Sequence, residues 1–295
     1  MHNYKTDYHV HPNYSIDASA ATIKDFCHKA LALKLREICF CTHVELDPER
    51  KAKDNFVRLN GEKHSVYKLN WLDSYFKEII RAQAEFKESG LKIKAGVEIG
   101  YCPGVENDIE KIINNYPFDF VMGAIHCLDH LSISSKKESP YYFRSRSAAT
   151  VREEYFAVLM EAVKTNLFDC IAHIDLYRRY GVQFLGVNAY TLHRGAIEPV
   201  FEEMEKREIG IEINTSSRRR GLKEFHPTKE ILDLAIKSGI KVFTVGSDAH
   251  SLDELGEGLD EALSLLHDMN ATNYVFDRRK PVPCSTAGKK LTKTS

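Results

Sequence analysis

The stretch Asp7-Tyr8-His9-Val10-His11 decides how the rest of the chain is read. It lies in a short β-prone run, 5–10, and in an extended strand side chains two apart share a face, so Asp7, His9 and His11 point the same way. Two imidazoles on one strand face are a natural pair of ligands for one ion. Taken alone, H-x-H more often marks satisfied or exposed histidines, so the weight of the pattern depends on what the other strands carry at their ends.

Outward from this stretch, further short β-branched or aromatic runs stand at 37–42, 91–99, 118–125, 169–174, 209–214 and 241–245. They are mostly apolar, as strands covered on both faces should be. Between them, 22–34, 72–88, 105–114, 148–165, 192–207 and 228–238 repeat apolar residues at helical spacing. Gly90 and Gly239 follow two of these helices, and Pro227-Thr228 opens another. This is the rhythm of repeated βα units, about seven of them. It predicts one α/β barrel over residues 1–280, while the prolines, small residues and lysines of 281–295 predict a flexible C-terminal tail. Two polar stretches, 45–68 and 129–147, break the rhythm after strand ends, where they could overhang a site.

A chain of 295 residues with 43% hydrophobic and 28% charged side chains has enough apolar matter for one large core, which excludes general disorder. The net charge of -1 supplies no overall field for nucleic acid or an anionic membrane, so phosphate binding must come from local groups. The seven cysteines include no C-x-x-C pair and fall in apolar runs, as reduced core residues of a cytoplasmic protein would. No run reaches signal-peptide or membrane-span length. The expectation is a cytoplasmic protein with neither nucleic acid nor membrane as partner; its oligomeric state is not legible.

Nearly every other strand also ends in a ligand-type side chain. The second ends at His43, the third carries Glu98, the fourth ends at His126, the fifth contains His173, and the seventh runs into Gly246-Ser247-Asp248-Ala249-His250. Asp17 lies on the same rim, in the first loop. The carboxyl ends of parallel barrel strands ring one mouth, so these donors converge. Imidazole and carboxylate without thiolate suit Zn, Mn or Fe, and the donors outnumber what one ion uses. Glu98 could bridge two ions, and the total supports two or three divalent metals. Phosphoester hydrolysis asks for such a cluster, which clamps phosphate oxygens and generates hydroxide near neutral pH.

Neighbouring polar residues take lesser roles. Asp7 reads as an acceptor orienting one of the imidazoles, and Asp175 either orients His173 or caps a loop. His2, His28, His64, His130, His193, His226 and His267 read as surface or helix residues. The run Arg218-Arg219-Arg220 follows the sixth strand, and a guanidinium fork matches phosphate oxygens. Any of the three could contact phosphate, with Arg178, Arg144 and Arg179 weaker candidates of the same kind.

These residues resemble the PHP (polymerase and histidinol phosphatase) superfamily. The resemblance rests on His9-x-His11, Asp17, Thr42-His43, Gly96-Val97-Glu98, Gly123-Ala124-Ile125-His126, Ala172-His173 and the closing Gly246-Ser247-Asp248-Ala249-His250. It implies a distorted (β/α)7 barrel with its metals at the carboxyl ends of the strands. It further implies one ion on His9, His11, Glu98 and Asp248, a second on Glu98, His126 and His173, and a third on Asp17, His43 and His250. Within the superfamily, Phe118-Asp119-Phe120-Val121, Glu212-Ile213-Asn214-Thr215-Ser216 and Gly221-Leu222-Lys223-Glu224-Phe225-His226-Pro227 are most similar to free-standing histidinol phosphatases. That similarity implies hydrolysis of L-histidinol phosphate by metal-activated hydroxide in L-histidine biosynthesis, with Arg219, then Arg218, as the leading phosphate contact. Glu98 and Asp248 would be the catalytic carboxylates, with Asp248 or an ordered water as proton donor to the leaving oxygen. The alternative within the superfamily is a phosphoesterase for nucleotides or another small ester. An inactive module is disfavoured because no ligand position is eroded, and an amidohydrolase-type C–N hydrolase because Glu98 stands where a bridging Lys would be expected.

Overall fold

In the computed structural model, which describes residues 4–284, the first strand β1 (Thr6–Val10) is buried along its whole length. It pairs in parallel with β2 (Glu37–Glu45), and the sheet continues through β3 (Lys92–Gly100), β4 (Phe120–Ala124), β5 (Cys170–Ile171), β6 (Gly210–Asn214) and β7 (Phe243–Gly246). Every neighbour is parallel and the spatial order equals the chain order. The ring closes just beyond β7, where Val10 bridges Ala249 and the His11 amide donates to the Ala249 carbonyl at 2.8 Å. The expected seven-unit barrel is therefore the observed one, and its carboxyl-end mouth gathers the residues that follow each strand.

The helices lie where periodicity places them. The expected ones are α1 (Ile23–Ala32), α2 (Asn70–Glu85), α3 (Glu106–Asn115), α4 (Ala148–Lys164), α5 (Glu198–Lys206) and α6 (Lys229–Lys237), joined by an unexpected α7 (Leu259–Asp268) and by shorter helices at Ser139–Phe143, Arg178–Leu185 and Ser216–Arg219. A capping box of Thr22 and Asp25 starts α1, and the Thr228 hydroxyl caps α6. On α3, Ile109, Ile112 and Ile113 form the helical-spacing stripe that is buried, each worth roughly 1.5–3 kcal/mol of transfer free energy.

Strand β5 is two residues long where 169–174 was expected, because the chain leaves the ladder before His173, whose φ of 28° is incompatible with a strand. The segments 45–68 and 129–147 fold into local structure, including the ribbons Phe56–Leu59 with Glu62–Ser65 and Cys127–Leu128 with Leu131–Ser132. Buried Arg50 clasps the two segments together, donating to the His130 carbonyl at 2.9 Å and the Glu138 carboxylate at 2.6 Å.

The opposite end of the barrel is closed by a hairpin, Tyr274–Asp277 with Lys280–Pro283. Its Phe276 amide donates to the Tyr8 hydroxyl at 2.7 Å, and Arg279 reaches Asp169 at 2.9 Å, just before β5 begins. Val275 and Phe276 pack with Tyr8, Cys39, Cys41, Phe120 and Cys170, which fill the barrel interior beneath the mouth. Folded structure thus runs past the boundary expected at 280, to Cys284; residues 285–295 of the expected tail lie outside the described residues.

Candidate metal centre

All nine donors read from the sequence meet at the carboxyl-end mouth. Glu98, fully buried, is the hub: its carboxylate lies 2.7 Å from His43 Nε2, 2.9 Å from His173 Nε2, 3.3 Å from His9 Nε2 and His126 Nε2, and 3.6 Å from His11 Nε2. Asp248 stands opposite, 3.3 Å from His11 Nε2, 3.5 Å from His250 Nδ1 and 3.8 Å from His9 Nε2. Asp17 reaches His250 Nε2 at 3.3 Å from the exposed rim. Three triads hold their ligand atoms within 4.8 Å of one another, a spread one ion can span: His9, His11 and Glu98; His43, Glu98 and His126; His11, His43 and His250. Asp17, His173 and Asp248 fall outside these triads but touch their members.

The donor set fits cations on a second count. His9 Nε2, His11 Nε2, His43 Nδ1, His173 Nδ1 and one Glu98 oxygen are buried without a hydrogen-bond partner. Buried polar atoms are normally satisfied, and three of these, on His9, His11 and Glu98, belong to one triad that could hold an ion.

Two carboxylates behind the donors set the imidazole tautomers. Glu212 Oε1 accepts from His9 Nδ1 at 2.6 Å, and Glu45 Oε1 from His126 Nδ1 at 2.6 Å. An ionised carboxylate only accepts, so the proton sits on Nδ1 and the Nε2 lone pair faces the mouth. Ser15 Oγ lies 3.1 Å from His11 Nδ1, and the Asp248 carbonyl accepts from His250 Nδ1 at 3.0 Å. Both carboxylates occupy room left by glycines on neighbouring strands. A Cβ on Gly246 would stand 2.5 Å from Glu212 Oε1, and one on Gly100 would overlap the Glu45 carboxylate. His173 and Asp248 take left-handed backbone, with φ of 28° and 54°. Such strain costs on the order of 1–3 kcal/mol per residue. It is held in place by the His173 amide donating to Glu212 at 3.0 Å and by the Ala249 pairing to β1.

The electrostatics follow from this crowding. Burial opposes the charge on Glu98, yet His43, His9 and His126 hold it well below the usual carboxylate range. Burial likewise opposes a proton on His126, but Glu45 and Glu98 raise it to about 9. His11, with burial and His250 against it, is pushed down to about 3. Protons and cations compete for the same lone pairs, and the buried carboxylates need one or the other for balance. Asp248, expected as a proton donor, is held ionised: burial disfavours its charge, but His9, His11, His250 and Arg179 outweigh burial. Its surroundings favour a hydrogen-bond acceptor instead.

The arginines are placed differently from expectation. Arg219 donates to the Ser247 and Asp248 carbonyls at 2.9 and 3.0 Å and to Glu257 at 3.2 Å, so it fastens the loop that carries Asp248. Arg218 pairs with Glu261 and lies 4.3 Å over the Phe225 ring, and Arg144 lies 5.9 Å from the Phe184 ring; neither touches a donor among the described residues. Arg178 is buried against Asp175. The guanidinium that does reach the cluster is Arg179, 3.3 Å from Asp248 Oδ2, beside Ser216, whose hydroxyl oxygen lies 2.9 Å from the same carboxylate oxygen.

Other readings also change. Asp7 accepts from the Ser247 amide and hydroxyl at 2.9 and 2.6 Å, anchoring the β7 loop instead of orienting an imidazole. Asp175 turns away from His173 to His226, and His226 and His193 are buried instead of superficial. Glu212 and Glu45 were missed as orienting groups. The signal was present: Glu212 interrupts the apolar β6, and Glu45 is two residues beyond His43 on one strand face.

A closed seven-stranded parallel barrel with a His, Asp and Glu cluster at its mouth agrees with what comparison finds. Residues 7–216 match the PHP domain, and the chain belongs to that family. Asp248 and His250 lie beyond the matched residues. Among its relatives, the "Probable histidinol-phosphatase" of Deinococcus radiodurans is 27% identical over 277 residues, covering 94% of this chain and 98% of that protein. The protein of the same name from Clostridium acetobutylicum is 30% identical, covering 70% of this chain and 78% of its own length. Among solved structures, histidinol phosphate phosphatase of Lactococcus lactis, complexed with zinc, L-histidinol and phosphate, shares the fold. It superposes with a TM-score of 0.73 at 22% identity, over 94% of this chain and 98% of that one.

Proposed function

We propose that the chain is a histidinol-phosphatase, which hydrolyses L-histidinol phosphate to L-histidinol and phosphate in L-histidine biosynthesis. It works in the cytoplasm with two or three divalent ions, zinc, manganese or iron, and takes a small phosphate ester with no nucleic-acid or membrane partner. No helix among the described residues is long and apolar enough to cross a membrane. The observation that carries the proposal is the gathering of nine donor side chains at one mouth around Glu98, where buried atoms of His9, His11, His43, Glu98 and His173 have no hydrogen-bond partner. The relatives' names and the small ligands of the Lactococcus lactis structure support the substrate.

His9, His11, Asp17, His43, Glu98, His126, His173, Asp248 and His250 would hold the ions. The ions, when bound, supply charge for the phosphate oxygens and a hydroxide nucleophile near neutral pH. Glu212 and Glu45 keep the His9 and His126 protons on Nδ1, so that Nε2 stays a ligand. Arg179 presents a buried guanidinium with its Nε unpartnered, which suits one edge of the phosphate. Arg220, exposed and without an anionic partner among the described residues, adds positive charge beside Arg179. These two replace Arg219 as the phosphate contacts.

The test is a phosphate-release assay on L-histidinol phosphate, p-nitrophenyl phosphate and nucleoside monophosphates in parallel. The proposal expects kcat/KM for L-histidinol phosphate to exceed the others by about a hundredfold or more, because a site that hydrogen-bonds polar substrate groups rejects esters lacking them. Equal rates across the panel would transfer the chain to a general small-ester phosphatase.

A further inference from the structure

Behind the candidate metal donors lies a second buried polar knot, apart from the triads that could hold an ion. Asp175, Arg178 and His226 are each 1% exposed or less. Asp175 Oδ1 accepts from His226 Nδ1 at 2.5 Å, and its Oδ2 accepts from Arg178 Nε at 2.6 Å and from the Thr228 amide at 3.1 Å. Arg178 also donates to the Phe225 carbonyl. One carboxylate therefore joins the loop after β5 to the chain that enters α6.

The knot controls two groups that converge on Asp248. Arg178 and Arg179 are the first residues of the helix Arg178–Leu185, about 100° apart around its axis, and no side chain caps its start. Pinning Arg178 to 225–228 sets the rotation of that helix and turns Arg179 toward Asp248 and the Ser216 hydroxyl, 3.3 and 3.4 Å away. On the other side, the His226 backbone pairs with Asn214, at 2.6 and 3.0 Å. The Asn214 side-chain oxygen accepts from the Ser216 amide at 3.0 Å and hydroxyl at 2.6 Å. Arg179 and Ser216 are thus located by the same buried centre, reached from opposite directions.

We propose that Asp175 and His226 are positioning residues for the substrate phosphate: they touch neither ion nor substrate and act by aiming Arg179. The inference rests on the reading of Arg179 as a phosphate contact. A buried polar group that loses its charged partner keeps its desolvation cost, so the knot should rearrange when either member is changed. The conservative change His226→Asn retains an amide donor near the place of Nδ1, whereas His226→Leu retains none.

The experiment measures the inhibition constant of inorganic phosphate, KM and kcat for L-histidinol phosphate, and bound metal for Asp175→Asn, His226→Leu, His226→Asn and Arg179→Ala in the metal-loaded enzyme. Asp175→Asn and His226→Leu are expected to weaken phosphate and raise KM by about tenfold or more, with metal content unchanged and kcat less affected. His226→Asn should recover most of the loss. In the Arg179→Ala background, Asp175→Asn and His226→Leu should each add little, since their effect runs through Arg179. Full additivity there, or loss of metal in place of phosphate affinity, overturns the inference. If Arg179→Ala alone leaves phosphate inhibition unchanged, the reading of Arg179 has failed and the inference falls with it. His226→Asn keeps the test decisive should Asp175→Asn fail to fold.

Discussion

Replacing Glu212 by Gln changes one oxygen to an amide nitrogen in a side chain that is fully buried and makes three contacts. Oε1 accepts from His9 Nδ1 at 2.6 Å, and Oε2 accepts from the His173 amide at 3.0 Å and Asn214 Nδ2 at 3.1 Å. Neither orientation of a Gln amide satisfies all three. With its oxygen toward His173 and Asn214, its NH2 faces His9 Nδ1 and drives the His9 proton to Nε2, the position a ligand needs free. With the amide reversed, the NH2 meets two donors. Asn214 cannot flip to relieve this, because its oxygen already accepts from Ser216. Loss of an orienting partner of this kind weakens metal binding by about ten- to hundredfold, or ~1.4–2.7 kcal/mol. The assay is metal retained per chain, and phosphate release, after dialysis against a chelator at graded concentrations. A Glu212→Gln protein that holds its metal as tightly as wild type would refute this role for Glu212.

Gly246→Ala puts a methyl against His9 and 2.5 Å from Glu212 Oε1, and should cost about 1–3 kcal/mol in a chemical melt together with bound metal; an unchanged melt contradicts the packing. Arg218→Ala removes an exposed pair with Glu261 and should shift stability by less than about 1 kcal/mol with KM intact, whereas Arg179→Ala should raise KM about tenfold or more. The reverse order would return the phosphate to the Arg218 side. His226 faces Asp175, Arg178 and Arg179, and burial, reinforced by the two arginines against the pull of Asp175, depresses its pKa from 6.5 to about 4. Its neutral form is the folded one, so its contribution is complete above pH 6.5 and is lost as pH falls through about 4. Melting temperature should therefore drop more steeply across that window in wild type than in His226→Asn.

The barrel and its nine donors are legible in the sequence because strand ends are local events. An apolar run that stops at His43, His126 or His173 reports both the strand and the side of the barrel to which its last side chain belongs. Partners set by tertiary geometry are not reported in this way. Asp7 shares the face of His9 and His11, yet whether it meets an imidazole or the Ser247 amide depends on how the β7 loop returns to β1. Which of the arginines at 178–179 and 218–220 turns inward depends on Arg178 being captured by Asp175 and on Arg219 finding two carbonyls, contacts made by residues distant along the chain. Glu212 and Glu45 are intermediate cases. A carboxylate inside an apolar parallel strand is costly unless something cationic or protonated answers it, and that rule demands a partner for both without naming the imidazoles that supply it.

The most direct measurement is the number of metal ions per chain in purified active enzyme, followed through chelation and reloading while phosphate release from L-histidinol phosphate is recorded. Convergence of the donors on Glu98 predicts two or three divalent ions, loss of turnover as they are withdrawn, and recovery when zinc or manganese is restored. Full turnover by protein stripped of metal would contradict it.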